Sequence, residues 1–440
     1  MSTSIRATGL RFTGAISALS SQQRSALFER GTSNDADIRE GTASIIARVR
    51  RDGDMALRSL SEEFDGVSLE SLEVPRQEWT NALDHLDPAL RTAMERSAEN
   101  LRRVHEAFLP VSQEAESEAG IVVGRRPDPL SRVGVYAPGG RAAYPSSVLM
   151  GVVPARVAGV GEIVMCSPPR RNTSRPSTVV LAAAALANAD RVFSLGGAGA
   201  IAAMAYGTLS VPRVDRIIGP GNAYVAEAKI QVASVVAIDS PAGPSELLVL
   251  VDESADPAMV AREMLAQAEH DPMAAVVAVC TNATVSNAVV RVLDSALPEQ
   301  PRADIIRQSF SRQGAVLTAD SMQDAIAFAN AYAAEHVLLI VSDADVVLAQ
   351  LRNAGTVFVG AFASVSFGDY MTGANHVLPT GGTARSYSGL STLDFVRWTT
   401  YQRVSREAAA RLAFDVGVFA EAEGLGGHAL AARAWGRFEA

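Results

Sequence analysis

The chain has 440 residues, 48% hydrophobic and 20% charged, and its 39 basic against 48 acidic residues leave a formal charge of −9. This is a globular composition, long enough for about two to four domains, and its acidic balance argues against nucleic acid as the main partner. No apolar run approaches the roughly 20 residues that cross a bilayer, and the opening MSTSIRATGLRFTG lacks the apolar core of a signal peptide, so no membrane role is expected.

Residues 1–35 are polar and rich in Ser, Thr and Arg, which predicts an arm or docking segment rather than a core element. From Asp37 to about Leu109 the spacing is helical: Ile38, Ile45, Ile46 and Val49 recur at three- and four-residue intervals, as do Leu83, Leu86, Leu90 and Met94. Short β-branched runs at Val133–Tyr136, Glu162–Met165, Arg191–Leu195 and Arg216–Ile218 then alternate with alanine-rich helical segments at Thr178–Asn188 and Ala223–Ser234. Alternation of this kind predicts a parallel, helix-covered sheet. The pattern resumes after SPAGPSE (Ser240–Glu246), with strands at Leu247–Val251, Ala274–Val279 and Val337–Val341, so two α/β units meet near residue 245. Beyond Gly381 the chain reads as helical at Val404–Ala413, Val416–Glu423 and His428–Trp435, without a strand of comparable strength. Cys166 and Cys280 each end an apolar run and read as free buried thiols rather than a bridge or zinc knuckle; the expected setting is reducing and cytoplasmic.

Three glycine loops follow strand-like runs. Gly197-Ala198-Gly199-Ala200-Ile201-Ala202 has the form G-x-G-x-x-A, but Asp215, the acidic residue at about the right distance, precedes its strand. A dinucleotide fingerprint and simple tight strand-to-helix packing both remain open for it. Gly219-Pro220-Gly221-Asn222 precedes the helix AYVAEAKIQVAS, and Tyr136-Ala137-Pro138-Gly139-Gly140 ends a third strand. Together they point to a nucleotide cleft, since exposed N–H groups at helix starts favour phosphate. Asp256-Pro257 caps a helix on which Gln267 and His270 share a face; they could reach one ion, or His270 is a surface or capping histidine. Phe367–Tyr370 with Gly373–Thr380 is dense in turn formers and ligand-type side chains, and Glu421–His428 sets a carboxylate and an imidazole around a glycine break. Glu335-His336 ends a helix that starts with a capping-box-like Ser321–Asp324, where it reads as a proton-transfer pair or as a solvated helix end. His85 and His105, in the helical N-terminal region, read as structural.

In order along the chain, VGVYAPGG (133–140), YPSSVLM (144–150), IGPGNAYVAEAK (218–229), IDSPAGPSE (238–246), QAEH (267–270), NAYAAEH (330–336), GDYMTGANHVLPT (368–380) and EGLGGH (423–428) resemble the histidinol dehydrogenase family. The resemblance runs from about residue 30 to the C-terminus. With the strand-helix alternation it implies an α/β fold of two incomplete Rossmann-like parallel-sheet domains with helical N-terminal and C-terminal extensions. The expected division is an arm at 1–28, a discontinuous first domain at 29–135 plus 247–385, a second domain with the cofactor loops at 136–246, and a helical dimerisation tail at 386–440.

The resemblance also implies residue roles. One divalent metal per subunit, normally zinc, is held by Gln267, His270, Asp369 and His428. Substrate is contacted by Ser245, Gln267, His270, His336, Asp369, Glu423 and His428, with His376 lining the site, and NAD by Tyr136 and Asn222. The C-terminal segment crosses to a second subunit, so Glu423 and His428 complete the neighbouring site of a homodimer. Two departures stand out: Gly199 replaces a common Gln, leaving only backbone contact to NAD there, and Ala334 replaces Pro, which should loosen the backbone before the catalytic pair. The implied reaction is a four-electron oxidation of L-histidinol through L-histidinal to L-histidine with two NAD and one water, the last steps of histidine biosynthesis. His336 is the base in both oxidations and Glu335 activates water. The alternatives are a family relative acting on a small alcohol such as a sulfonated propanediol, a metal-dependent hydrolase, and a non-catalytic binding protein. Ser245 and Glu423 favour an amino alcohol over a sulfonate; Arg141 and Arg385 would argue otherwise if they line the site.

Overall fold

The computed structural model describes residues 9–30, 36–139, 143–241 and 243–436; Gly140 and Arg141 lie outside the described residues. The chain divides into two units, one of Met1–Phe108 with Ser131–Phe395 and one of Leu109–Leu130 with Val396–Ala440. The strands in chain order are β1 (Phe12–Ala15), β2 (Gln113–Glu118), β3 (Ile121–Pro129), β4 (Arg132–Tyr136), β5 (Glu162–Ser167), β6 (Arg191–Ser194) and β7 (Arg216–Ile218). There follow β8 (Ala237–Ile238), β9 (Glu246–Val251), β10 (Ala275–Cys280), β11 (Gly314–Thr318), β12 (His336–Ile340), β13 (Thr356–Val359) and β14 (Val396–Val404).

The first unit carries two sheets, ordered β6-β5-β4-β7-β8 and β1-β11-β10-β9-β12-β13, and every pairing in them is parallel. Parallel neighbours need crossover connections, and the crossing helices cover both faces. That is why β9 reads as an unbroken apolar run after its first residue. Leu247, Val249 and Val251 pack with Val260, Met264 and Phe310, whereas Leu248 and Leu250 pack with Leu27, Phe328 and Tyr332. In each sheet the first crossover-linked strand, β4 or β9, lies beside the fourth, β7 or β12, and the order reverses there. Each sheet therefore has a topological switch point, and beyond the carboxyl ends of the strands there, as at β4–β7, is the usual place for a ligand crevice. Two incomplete Rossmann-like sheets are thus present, as expected. Helices Ala36–Asp52 and Asp54–Leu60 place Ile45, Ile46, Val49, Leu57 and Leu60 in one cluster with Phe193 and the helix Gly197–Tyr206.

The second unit contains the antiparallel sheet β14-β3-β2, followed by helices Arg406–Ala422 and Gly426–Trp435. Among the described residues no helix is long and apolar enough to cross a membrane.

Two parts of the sequence reading are corrected. Of the segment 1–35, the described residues 9–30 are not simply an arm outside the core: β1 pairs with β11 at the sheet edge, and Leu27 on helix Ser21–Phe28 is fully buried. An edge strand needs one neighbour and little apolar sequence, so composition alone hides it. Beyond Gly381 the chain is not only helical, because β14 occupies nine residues.

Candidate active site

Ser321 caps the helix Met322–Tyr332 by accepting from the Asp324 N–H, as the capping signal predicts. Ala333, at φ 53°, turns the chain into β12, which opens on His336. The loosening expected from Ala334 is countered by backbone hydrogen bonds. Gly355 N donates to Ala334 O at 3.0 Å, Thr356 N to Glu335 O at 2.9 Å, and Glu335 N to Glu246 Oε2 at 3.2 Å. Glu335 and His336 are 5% and 4% exposed, which removes the solvated helix end as a reading.

His336 Nδ1 lies 2.9 Å from the Glu246 carbonyl oxygen. A carbonyl only accepts, so Nδ1 carries a proton and Nε2 is the nitrogen left to act as a base. Among the described residues Nε2 is buried without a hydrogen-bond partner, and it lies 3.8 Å from Asp369 Oδ1. Glu335 Oε2 accepts from Glu246 N at 2.7 Å and lies 3.4 Å from His336 Nδ1. Burial by itself disfavours the charged ring, but Glu335 first and then Asp369 outweigh it and raise the imidazole to about 9, so the ring must give up a second proton before Nε2 can act as a base.

Asp369 sits on the short helix Val365–Tyr370, whose first N–H donates to Glu263 Oε2 at 3.1 Å and so ties it to the helix Pro257–Ala268. The half-buried His376 bonds through Nδ1 to the Asp369 carbonyl at 3.0 Å, and burial pushes its imidazole down. Glu335, His336, Asp369 and His376 thus come together. Gln267 is buried on the helix that Asp256 caps, and its Nε2 has no partner among the described residues; His270, just past the helix end, is exposed. Ser245 is half-buried immediately before β9. Glu423 and His428 belong to the second unit, one capping the helix Arg406–Ala422 and the other in the helix Gly426–Trp435, and both are exposed. Among the described residues no three or more His, Cys, Asp or Glu side chains stand close enough to hold a metal. The donor types nevertheless suit a divalent ion: a buried amide whose nitrogen is unpartnered, and whose oxygen would face that side if turned, accompanies a carboxylate and imidazoles.

The glycine loops stand at the opposite edge of the other sheet. Gly219, at φ 113°, leaves no room for a side chain, since a Cβ would lie 2.1 Å from the Tyr136 carbonyl oxygen across the β4–β7 crevice. Its N–H donates to Asp239 Oδ2 at 2.7 Å and its carbonyl accepts from Lys229 Nζ at 3.1 Å. Lys229, the sole lysine, is buried against Asp239, so it holds this loop rather than meeting solvent. Asn222 is exposed and caps the helix Ala223–Val232, accepting from Val225 N at 3.1 Å. The Tyr136 hydroxyl accepts from Gly197 N at 3.1 Å. At Gly199 a Cβ would come within 3.2 Å of Leu60 Cδ1, which supplies the tight-packing contact.

Asp215 accepts from Arg132 N at the amino edge of the sheet and is no ribose ligand. The carboxylate near the Gly196–Gly197 turn is instead Asp65, from the π-turn Ser61–Asp65; its Oδ1 is 3.7 Å from where a Gly196 Cβ would stand. Burial pushes it up to about 6. Sequence reasoning missed Asp65, Glu246 and Arg30. A charged residue opening the run ELLVLV was the available signal for Glu246; Asp65 and Arg30 carried none. Both cysteines are buried on β5 and β10, where burial pushes their thiols up and keeps them unreactive.

The two regions are neighbours. Only residues 239–245 link the carboxyl end of β8 to the amino end of β9, and Gly243 N donates to the Thr380 hydroxyl while Asn375 Nδ2 donates to Met150 O. A sequence profile of histidinol dehydrogenases matches residues 28–435. The chain belongs to the histidinol dehydrogenase family. Histidinol dehydrogenases of Halobacterium salinarum and Methanosarcina mazei are 48% and 45% identical to it over 426 and 421 residues, spanning 97% and 95% of this chain and 99% and 96% of theirs. The crystal structure of histidinol dehydrogenase from Elizabethkingia anophelis matches with a TM-score of 0.92 at 32% identity, over 97% of this chain and 98% of that one. Membership in the histidinol dehydrogenase family displaces the hydrolase and binding-protein readings. Arg385, one of the two residues that could have pointed to a sulfonate, is exposed and donates to the Ala331 carbonyl.

Proposed function

We infer that this protein is an NAD-dependent dehydrogenase that oxidises L-histidinol through L-histidinal to L-histidine. The observation that carries this reading is the buried Glu335-His336 pair, with His336 Nε2 beside Asp369 and unpartnered among the described residues. NAD, when bound, accepts the hydride of each oxidation. His336 takes the alcohol proton at Nε2, and takes it again from the hydrated aldehyde. Glu335, its Oε2 fixed by the Glu246 N–H, removes a proton from the water that adds to the aldehyde. Tyr136, Asn222 and the backbone around Gly199 are the proposed NAD contacts.

Zinc, when bound, supplies a Lewis acid that fixes the substrate's imidazole and amine. Gln267, His270 and Asp369 would hold it, with His428 from the second subunit of a homodimer, to which Glu423 also brings a carboxylate for the substrate ammonium. Ser245 completes the substrate contacts. The exposure of His270, Glu423 and His428 supports a site finished by a second copy. The tail 386–440 is then the dimerisation segment of a cytoplasmic enzyme, and the two parallel sheets of the first unit are its catalytic halves; the expected bounds at 135 and 136 do not divide them, since β4 (Arg132–Tyr136) belongs to the five-stranded sheet and helices Ala36–Asp52 and Asp54–Leu60 pack with that sheet's cluster.

The test is NADH formed per substrate consumed, with histidinol, histidinal and a sulfonated diol assayed side by side. Two NADH per histidinol and one per histidinal support the reading; turnover of the diol alone refutes it. Chelation and dialysis should abolish histidinol oxidation and zinc should restore it, whereas full activity without bound metal would overturn the metal assignment.

A further inference from the structure

Glu246 opens β9, is 1% exposed, and touches both members of the catalytic pair. Its N–H donates to Glu335 Oε2 at 2.7 Å, and its carboxylate accepts from Glu335 N at 3.2 Å, so the two residues exchange hydrogen bonds. Its carbonyl is the group that fixes the protonated nitrogen of His336. Its other carboxylate oxygen accepts from Gly381 N at 2.7 Å. Two buried carboxylates this close need a compensating cation, and Arg30 supplies it. Arg30 Nε and Nη2 lie 3.0 and 3.2 Å from the two Glu246 oxygens, Nη2 also donates to Tyr332 O at 2.8 Å, and the guanidinium stacks 3.4 Å above the Tyr332 ring. Tyr332 ends the helix that leads into Glu335, so Arg30 grips the catalytic segment from both sides.

We propose that Arg30 and Glu246 are positioning residues, which orient the Glu335 carboxylate toward water and set the tautomer of His336. This rests on the catalytic roles given above to Glu335 and His336. Stability is a poor explanation for the pair, because a buried ion pair is commonly matched or bettered by apolar residues of the same size. Positioning is a better one: Glu335 Oε2 is spent on the Glu246 N–H, and among the described residues Oε1 has no hydrogen-bond partner and is the oxygen left for water. The arginine comes from the N-terminal segment, just after a helix whose Leu27 is sealed beneath the sheet.

The test uses the full-length, zinc-loaded enzyme. Arg30→Met should lower turnover of histidinal about 10- to 100-fold, the usual cost of a misplaced catalytic group, with the KM values for histidinol and NAD within about threefold of the parent. Arg30→Lys, which keeps the charge without the fork, should recover part of the rate. If Arg30→Met does not fold, Arg30→Met with Glu246→Leu buries no unpaired charge; it should regain the parental melting temperature without regaining the rate. Histidinal turnover within twofold of the parent in folded Arg30→Met overturns the proposal, as does recovery of rate together with stability in the double variant. Glu335→Gln, run in parallel, separates the two levels: if it oxidises histidinal at the parental rate, the catalytic assignment fails and not merely the positioning of it.

Discussion

At the β4–β7 crevice the five-stranded sheet offers the carboxyl ends of its strands, where Tyr136, Gly197 and Gly219 meet and the following helices begin. At the β9–β12 crevice the six-stranded sheet, with the same reversal of strand order, offers the amino ends, where Glu246 and His336 open their strands and the helices Pro257–Ala268 and Met322–Tyr332 finish. Helix starts present N–H groups and a partial positive charge, and helix ends present carbonyls and a partial negative one. A pyrophosphate is therefore suited to the first edge, and an ammonium or metal ion to the second. Each helix end contributes only about 0.3–1 kcal/mol, so these fields bias the placement while named side chains do the holding. In the proposed division one edge would bind through backbone, which needs glycine, and the other would work through ionisable side chains, which need burial.

The largest effect should come from the ionisable edge. His336→Asn would remove the proposed base of both oxidations and should lower turnover about 10²- to 10⁴-fold. Glu335→Gln should impair chiefly histidinal oxidation; equal losses in the two half-reactions would break the division of labour between them. At the backbone edge, Gly219→Ala sets a Cβ against the Tyr136 carbonyl at a left-handed φ, strain of about 1–3 kcal/mol. NAD binding should weaken by roughly 5- to 150-fold while histidinol binding stays within about twofold, and the reverse pattern in a calorimetric titration would reverse the assignment of the edges.

The smallest effect concerns Asp65 and pH. Its folded value of about 6 lies above the ordinary 3.8, so between those values the native state holds the proton more tightly than the unfolded chain. Its contribution to stability is present below about pH 4 and is lost as the pH rises through about 6. Asp65→Asn does not titrate, and its melting temperature should gain on the parent between pH 4 and pH 7; a gap that stays flat over that range would show that the carboxyl is not desolvated.

How much of this was legible follows from what each element owes to its own residues. The buried strands of both parallel sheets announce themselves because both faces are covered and their runs are apolar throughout. β2, QEAESE, is exposed along its whole length and held by pairing alone, so it carries no apolar pattern; β14 is at most half-buried, and charged and polar residues interrupt its pattern. Gln267, Glu335, His336 and Asp369 were visible through their motifs. Arg30 was not, since an arginine in a polar segment looks solvated until Glu246, 216 residues away, turns out to be its partner. The glycine loop calls for an acidic residue downstream, where Asp215 stands, whereas the carboxylate beside its turn, Asp65, lies upstream, because spatial proximity to a strand end does not fix chain order. The Gly199 contact with Leu60 likewise depends on a helix more than a hundred residues earlier.

The separation of the two edges is tested most directly by the dissociation constant of NAD for His336→Asn, measured by calorimetry on the zinc-loaded protein whose turnover has been lost. If the cofactor is held at the β4–β7 edge and the proton chemistry runs at the β9–β12 edge, the constant stays within about twofold of the parent. A constant that rises in step with the loss of turnover would contradict it.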